Sequence, residues 1–450
     1  MLLALLLLAV PAPVDHDVLL QLLAVDTSHG HEADALRPVL ERFKAAGVPA
    51  QILESAPGRG NLIARIQGTG AHKPLLLLAH IDVVPVEGQK WSTKPFVPTE
   101  KDGYLIARGV TDDKAMASAI VAVALELAAS PQKPSRDVIV ALTSGEETGG
   151  LEGVQWLVQH HRDLIDAELA LNEGGDIFLS GDLSHVQAIS LGVAEKTYKS
   201  FKLQTHGPGG HSSVPPPMDH DAVLELARAL VKVGEYRFPA HLIPEARDQV
   251  AAAARVEKPP LSEALANAAR TAPRLTPRDE ELITADRAYN AAIRTTCVVT
   301  QLEGAPADNV LPTAPWAAVN CRILPDETIA QTEERLKAAI ADPGVQLTQM
   351  DELGPGGKVP LEGPVPLAVR AAAKKLWGTT PVVNAMGFGA SDSRYLRQAG
   401  IASYGIDTSP TSLEDIRRGF GAHAANERAP IQWLPVGTDF LREVVRELVK

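Results

Sequence analysis

Residues 75–84 read LLLLAHIDVV. An apolar run of this length, without the alternation of a half-exposed strand, describes a strand buried on both faces and central in a sheet. The segments around it extend the pattern. Upstream, 61–67 (NLIARIQ) reads as a second strand, and Leu36, Val39, Leu40 and Phe43 fall at helical spacing before a stop at Gly47. Downstream, 114–129 (KAMASAIVAVALELAA) reads as a buried helix and 137–142 (DVIVAL) as another interior strand. Strands alternating with helices predict an α/β fold, a mostly parallel sheet with helices on both faces. In such a sheet ligands bind outside the carboxyl ends of the strands.

From about Glu195 the texture changes. Residue 197–204 (TYKSFKLQ) alternates, a Gly/Pro cluster occupies 207–217, and an Ala-rich helix ends near Val233. Strand-like runs at 297–302, 316–323 and 345–349 complete an α+β unit of two helices on one antiparallel sheet. A polar, Ala- and Pro-containing stretch between roughly 237 and 290 reads as an insertion with helical patches. The βα texture returns near 353. The predicted domains are therefore 14–194 with 353–450, interrupted by 195–352.

The chain has 450 residues, 45% hydrophobic and 22% charged, with 43 Lys and Arg against 55 Asp and Glu and a net charge of −12. That composition excludes a disordered chain, a fibrous repeat and a disulfide miniprotein. The acidic balance argues against nucleic acid as a partner, because phosphate-backbone binding needs clustered cations. Residues 1–12 (MLLALLLLAVPA) read as the hydrophobic core and small-residue end of an export signal spanning 1–13. The run is short of the about 20 apolar residues of a membrane span. An N-terminal element packed on the core is the alternative reading, with a cytoplasmic location. Cys297 and Cys321 are the two cysteines, and their spacing decides neither a disulfide nor two buried thiols.

Five clusters carry chemistry. His80-Ile81-Asp82 closes the central strand, so one ring nitrogen of His80 can ligate a metal while Asp82 holds the other. Arg108-Gly109-Val110-Thr111-Asp112-Asp113-Lys114 opens the buried helix, where adjacent acids alone could be first-turn charges. Ser144-Gly145-Glu146-Glu147-Thr148-Gly149-Gly150 follows the strand at 137–142 and sends two carboxylates in different directions, one for a metal and one free as a base. Leu171-Asn172-Glu173-Gly174-Gly175 places another acid after a short apolar strand, and Gly421-Ala422-His423 supplies a late imidazole. Mixed His and carboxylate donors without Cys suit zinc, cobalt or manganese in a catalytic site. Three ligating carboxylates and a hydroxide would balance two divalent ions, which makes a dinuclear hydrolase the natural reading.

The ordered series HID, RGVTDDK, GEETGG, NEGG, GGHSS, DNVLP, NCRILP, GASDSR and a late His resembles the co-catalytic metallopeptidase family of glutamate carboxypeptidase, aminoacylase, acetylornithine deacetylase, succinyl-diaminopimelate desuccinylase and carnosinase. The match runs from about residue 15 to 450. The resemblance implies that Asp112 bridges two ions, that His80 and Glu173 complete one and Glu147 and His423 the other, and that Glu146 is the general base. Asp82 would orient His80, and the Asp112–Asp113 peptide would be cis. The inserted unit resembles the family's lid, which implies homodimer formation through that unit and a role for His211 in stabilising the oxyanion. Asn309, Arg322 and Arg394 match substrate-contacting positions, with a lid salt bridge as the other reading of Arg322.

The expected activity is hydrolysis of an amide bond next to an amino acid with a free carboxylate. Peptides rank first, as for a carboxypeptidase or dipeptidase, and N-acyl amino acids second. A metal-free binding protein is disfavoured, since Glu146 and every expected ligand type are present. Part of the −12 charge is then assigned to Asp112, Glu147 and Glu173, which bound ions would neutralise.

Overall fold

The computed structural model of the chain describes residues 14–450 except 219 and 352, so the export-signal reading of 1–13 lies outside the described residues. Two compact units result. One takes in the chain up to Leu191 together with Glu362–Val382 and Ala399–Lys450; the other comprises Gly192–Leu361 and Val383–Gln398.

The first unit is built on a mixed sheet in the order Ala50–Ala56, Arg59–Ile66, Val138–Thr143, Leu75–His80, Leu169–Asn172, Ala402–Gly405, Val186–Glu195, Asp176–Leu179 and Thr411–Ser412. Its middle is parallel: Leu75–His80 pairs in parallel with Val138–Thr143 on one side and with Leu169–Asn172 on the other, and the latter with Ala402–Gly405. The first two strands pair antiparallel, as does Asp176–Leu179 with Val186–Glu195, whereas Thr411–Ser412 joins Asp176–Leu179 in parallel. Leu75 to Leu78 are fully buried, each such side chain contributing about 1.5–3 kcal/mol relative to exposure. Sliding the strand by two residues would draw Lys73 into that core, so the register pins His80 at the sheet's carboxyl edge. The strand stops at His80, four residues short of the 75–84 apolar run, because Asp82 turns away to receive two amides of a neighbouring loop.

Helix Lys114–Ala129 lies where the sequence places it, buried along most of its length. Its first residue is buried as well, and Lys114 Nζ donates to the carbonyls of Leu22 and Val25 at the end of helix Val14–Leu23. A small sheet then joins distant segments: Tyr104–Ile106 pairs antiparallel with Thr99–Lys101 and with Arg428–Pro430.

The second unit carries a four-stranded antiparallel sheet, ordered Thr296–Glu303, Trp316–Ile323, Thr197–Gln204, Gln346–Gln349. Thr197–Gln204 alternates buried and half-buried residues, and its inward Phe201 and Leu203 pack with Leu226, Ala229, Leu336 and Ile340 from helices Ala222–Glu235 and Ile329–Ile340. The stretch read as an insertion forms four short helices, Pro244–Ala253, Leu261–Thr271, Pro277–Thr284 and Arg287–Ile293. They share a core of Leu242, Ile243, Val250, Leu265, Ala268, Ile283 and Ile293. Thr276 and Asp286 cap two of them by accepting first-turn amides.

Residues 383–398 pack with this second unit rather than with the segments on either side of them. Their bonds explain why. Gly387 O accepts from Lys196 N, Asn384 Nδ2 donates to Asp248, Met386 N donates to the Gln249 side chain, and Ser391 donates to Glu195. Cys297 and Cys321 form a disulfide between directly opposed residues of neighbouring strands.

Candidate metal centre

Strand ends, a helix start and loops of the first unit bring its polar side chains to one place. His80 is the last residue of its strand and buried, with Nε2 2.9 Å from Asp112 Oδ1 and 3.9 Å from Glu173 Oε1. His423 Nε2 lies 3.1 Å from Asp112 Oδ2 and 3.0 Å from Glu147 Oε1. Two triads therefore share Asp112: His80–Asp112–Glu173 and Asp112–Glu147–His423, the donor atoms of each within 4.8 Å of one another. The Asp112–Asp113 peptide is cis.

Asp82 plays a broader part than the orienting one expected of it. His80 Nδ1 is 3.0 Å from the backbone carbonyl of Asp82 and 3.5 Å from its carboxylate. The carboxylate is taken by the amides of Glu146 and Glu147, at 3.1 and 3.0 Å. It thus fixes the short turn Glu146–Thr148, which Gly145 enters with a φ of 74° that a side chain would resist. The carbonyl holds the imidazole so that Nε2 faces Asp112 and Glu173.

Charge in this pocket is strongly coupled. Burial would lower the His80 imidazole, but hydrogen bonds to Asp112 and Asp82 and the charge of Glu173 carry it well above its ordinary value. Hydrogen bonds to Asp112 and Glu147 push His423 up to about 10. Burial would raise Asp112, yet the bonds from His423 and His80 hold it far below the usual carboxylate range. Burial pushes Glu173 and Asp113 up. The donors fit divalent ions: two imidazoles and three carboxylates in two triads, with no thiolate, is the set for zinc, cobalt or manganese rather than a closed structural zinc site. Glu146, half-buried on the same turn as Glu147, makes itself felt as a like charge at Glu173.

Sequence reasoning gave no role to the residues that tie these loops together. Arg108 and Glu427 form a buried ion pair at 2.7 Å, and Gln89 bonds both Arg108 and the carbonyl of His423. Their neighbours in sequence are visible motif residues, but nothing in the sequence pairs positions 108 and 427.

The remaining candidates belong to the second unit. His211 and Asn309 meet on a small element where Gly210–His211 pairs with Val310–Leu311; both are exposed, Ser213 N donates to His211 Nδ1, and Ser212 N to Asn309 O. Arg322 is half-buried with its guanidinium 4.6 Å from the centre of the Tyr198 ring, its cross-strand partner. Burial and the like charge of Arg394 both press Arg322 below its ordinary value. Arg394, buried near the start of helix Ser393–Gln398, donates to the Tyr395 hydroxyl at 3.1 Å.

Known proteins resemble this chain in sequence and in fold. The description "Peptidase family M20/M25/M40" matches residues 76–447. An N-fatty-acyl-amino acid synthase/hydrolase of Xenopus tropicalis is 26% identical over 85% of this chain and 74% of its own. A succinyl-diaminopimelate desuccinylase of Delftia acidovorans is 32% identical over 36% of this chain and 45% of its own. Among solved structures, an M20 family metallo-carboxypeptidase of Sulfolobus solfataricus superposes with a TM-score of 0.70 at 18% identity, covering 96% of this chain and 99% of that one.

Proposed function

The chain belongs to peptidase family M20/M25/M40, and from that premise we propose that it splits the amide bond between an acyl group and an amino acid whose carboxylate is free. The observation that carries this reading is the pair of triads sharing Asp112 beside Glu146. His80, Asp112, Glu147, Glu173 and His423 would hold divalent ions, which would supply the Lewis acidity to polarise a carbonyl and acidify water. Glu146 takes the proton from the attacking water and returns it to the leaving nitrogen. Asp82 keeps Glu146 on station by holding its backbone amide. For the second unit the proposal assigns His211 to the developing oxyanion and Asn309, Arg322 and Arg394 to the substrate, the two guanidiniums favouring its carboxylate.

On the acyl side, sequence alone ranks peptides ahead of N-acyl amino acids. The name of the relative that aligns over 85% of this chain favours the reverse order, so N-acyl amino acids lead and peptides follow, the latter supported by the carboxypeptidase likeness in fold. A panel of N-acyl amino acids of increasing chain length and of dipeptides sharing one leaving amino acid, run on zinc-loaded enzyme, decides it. The expected result is a higher kcat/KM on the acyl series and its loss when the carboxylate is amidated. Faster cleavage of the dipeptides overturns the order.

Two properties of the whole molecule are proposed as well. Export fits the Cys297–Cys321 disulfide, a bond that persists in oxidising compartments. Self-association fits the edge strand Thr296–Glu303, which exposes Val298, Val299 and Leu302 along a flank of the sheet that natural proteins ordinarily protect.

A further inference from the structure

The two triads are built differently. The donors His80 and Glu173 sit at or just after strand ends in the sheet, whereas His423 is 54% exposed and rides in the irregular segment 418–427. His423 and Asn426 have φ of 65° and 59°. Non-glycine residues stay in that left-handed region only where their surroundings hold them. What holds them is specific. Glu427 Oε2 accepts from Arg108 Nη1 at 2.7 Å and from Gly109 N at 3.1 Å; its Oε1 accepts from Thr111 N and Thr111 Oγ1, both at 2.8 Å. One carboxylate therefore gathers the backbone leading to Asp112 on the adjoining chain segment. The pairing of Arg428 with Ile106 sets the two segments side by side.

Arg108 completes the link from the other side. Its Nη2 donates to Gln89 Oε1 at 2.7 Å, and its guanidinium reaches the carbonyls of His423 and Ala424 at 3.3 Å. Gln89 Nε2 donates to the same His423 carbonyl at 3.0 Å, and Asn426 Oδ1 accepts from Ser92 N and Oγ. Every one of these bonds ends on the His423 segment or on residues 89–111. None of them touches His80 or Glu173.

We propose that Arg108, Glu427 and Gln89 are positioning residues, a clasp that sets the affinity of the Asp112–Glu147–His423 site through both His423 and Asp112 and reaches the His80–Asp112–Glu173 site only through the shared Asp112. The inference rests on reading the two triads as ion sites. It makes the two ions unequal: one site is framed by the sheet, the other is closed by a hydrogen-bonded strap whose only imidazole sits at the surface.

The test is metal titration of the full, metal-free chain with zinc against a chromophoric competitor, and with cobalt followed by its absorption spectrum. The wild type is expected to take up two ions. Glu427→Gln and Gln89→Ala are expected to take up the second ion about 10–100-fold more weakly, the usual effect of disturbing groups that orient a ligand, and the first with a clearly smaller change. The cobalt spectrum of the first ion stays unchanged in Gln89→Ala, which leaves the bonds of Glu427 to Gly109 and Thr111 in place. Gln89 is half-buried and uncharged, so Gln89→Ala keeps the test open if Glu427→Gln does not fold. Equal weakening of both ions, or wild-type binding of the second ion in Gln89→Ala, overturns the clasp. A wild-type chain that takes up no ion overturns the ion-site reading itself, and the clasp with it.

Discussion

The two compact units handle polar side chains in opposite ways. In the first, the groups assigned to chemistry answer one another: His80 and His423 both face Asp112, and Asp82 binds the turn that carries Glu146 and Glu147. In the second, the candidates answer their own scaffold. Arg322 lies over Tyr198, Arg394 bonds Tyr395, and His211 accepts from an amide two residues away. The first arrangement sets out two donor groups whose chemistry fits divalent cations. The second keeps guanidinium charge in place by aromatic stacking, which suits binding an anion rather than making or breaking bonds. Changes in the first unit should accordingly act on kcat and metal, and changes in the second on substrate affinity, stability and assembly.

The largest effect that would sharpen this contrast is at Glu146. Glu146→Gln keeps the backbone amide that Asp82 holds and removes only the base. Its kcat is expected to fall about 10²–10⁴-fold, the usual worth of general acid–base catalysis, with both ions retained. Steady-state kinetics together with metal analysis checks it. Near-normal turnover would remove Glu146 from the mechanism, and loss of an ion would make it a ligand instead.

The coupled imidazoles give the next effect. His423 is pushed up to about 10 and His80 is carried above its ordinary value, so without metal both hold their protons more tightly than free imidazoles do. An ion needs them neutral. Metal uptake must therefore release protons, and affinity must fall as pH falls, by roughly tenfold per pH unit for each proton displaced. Calorimetry of zinc binding at neutral pH in buffers of different ionisation enthalpy measures the release directly. Heats independent of buffer would break the assignment of both histidines as ligands.

In the second unit the disulfide sets the scale. Replacing Cys297 and Cys321 by Ser removes a cross-link between residues 24 apart, worth about 2–4 kcal/mol by its effect on the unfolded chain. Thermal or denaturant unfolding should show that loss. Zinc stoichiometry should stay at the wild-type value, because all five proposed ligands belong to the other unit.

How much of this was legible beforehand follows the same division. The parallel centre of the sheet, helix Lys114–Ala129 and strand Thr197–Gln204 were readable because burial on two faces, or on one, leaves a run or an alternation in the sequence. Four of the five donors were readable because they close, follow or precede a regular element; His423, in the irregular segment 418–427, was readable only as part of the ordered motif series. Three things were not. The Arg108–Glu427 pair joins residues more than three hundred positions apart, and neither residue type announces its partner. The pairing of Cys297 with Cys321 depends on register between strands, which spacing does not encode. Residues 383–398 changed unit because side chains of the inserted helix, Asp248 and Gln249, bond Asn384 and Met386, a contact that no local pattern foretells.

The smallest expected effect on the single chain, and the one that bears on assembly, is at the sheet edge. Val298 is 58% exposed and Leu302 66% exposed on Thr296–Glu303, an eight-residue edge strand without Lys or Pro. Such a strand offers unpaired backbone groups and an apolar surface together, and a second copy running antiparallel along it would satisfy both. Val298→Lys places a charge on that surface. As an exposed substitution it should change the stability of the chain by no more than about 0.5 kcal/mol. In a dimer the same change sets two ammonium groups close together and should shift the population toward monomer. Light scattering across a range of protein concentrations separates the outcomes. A wild type that remains monomeric throughout, or a variant that dimerises as well as the wild type, would remove the edge strand as the assembly surface and leave its exposed valines to some other use of the second unit.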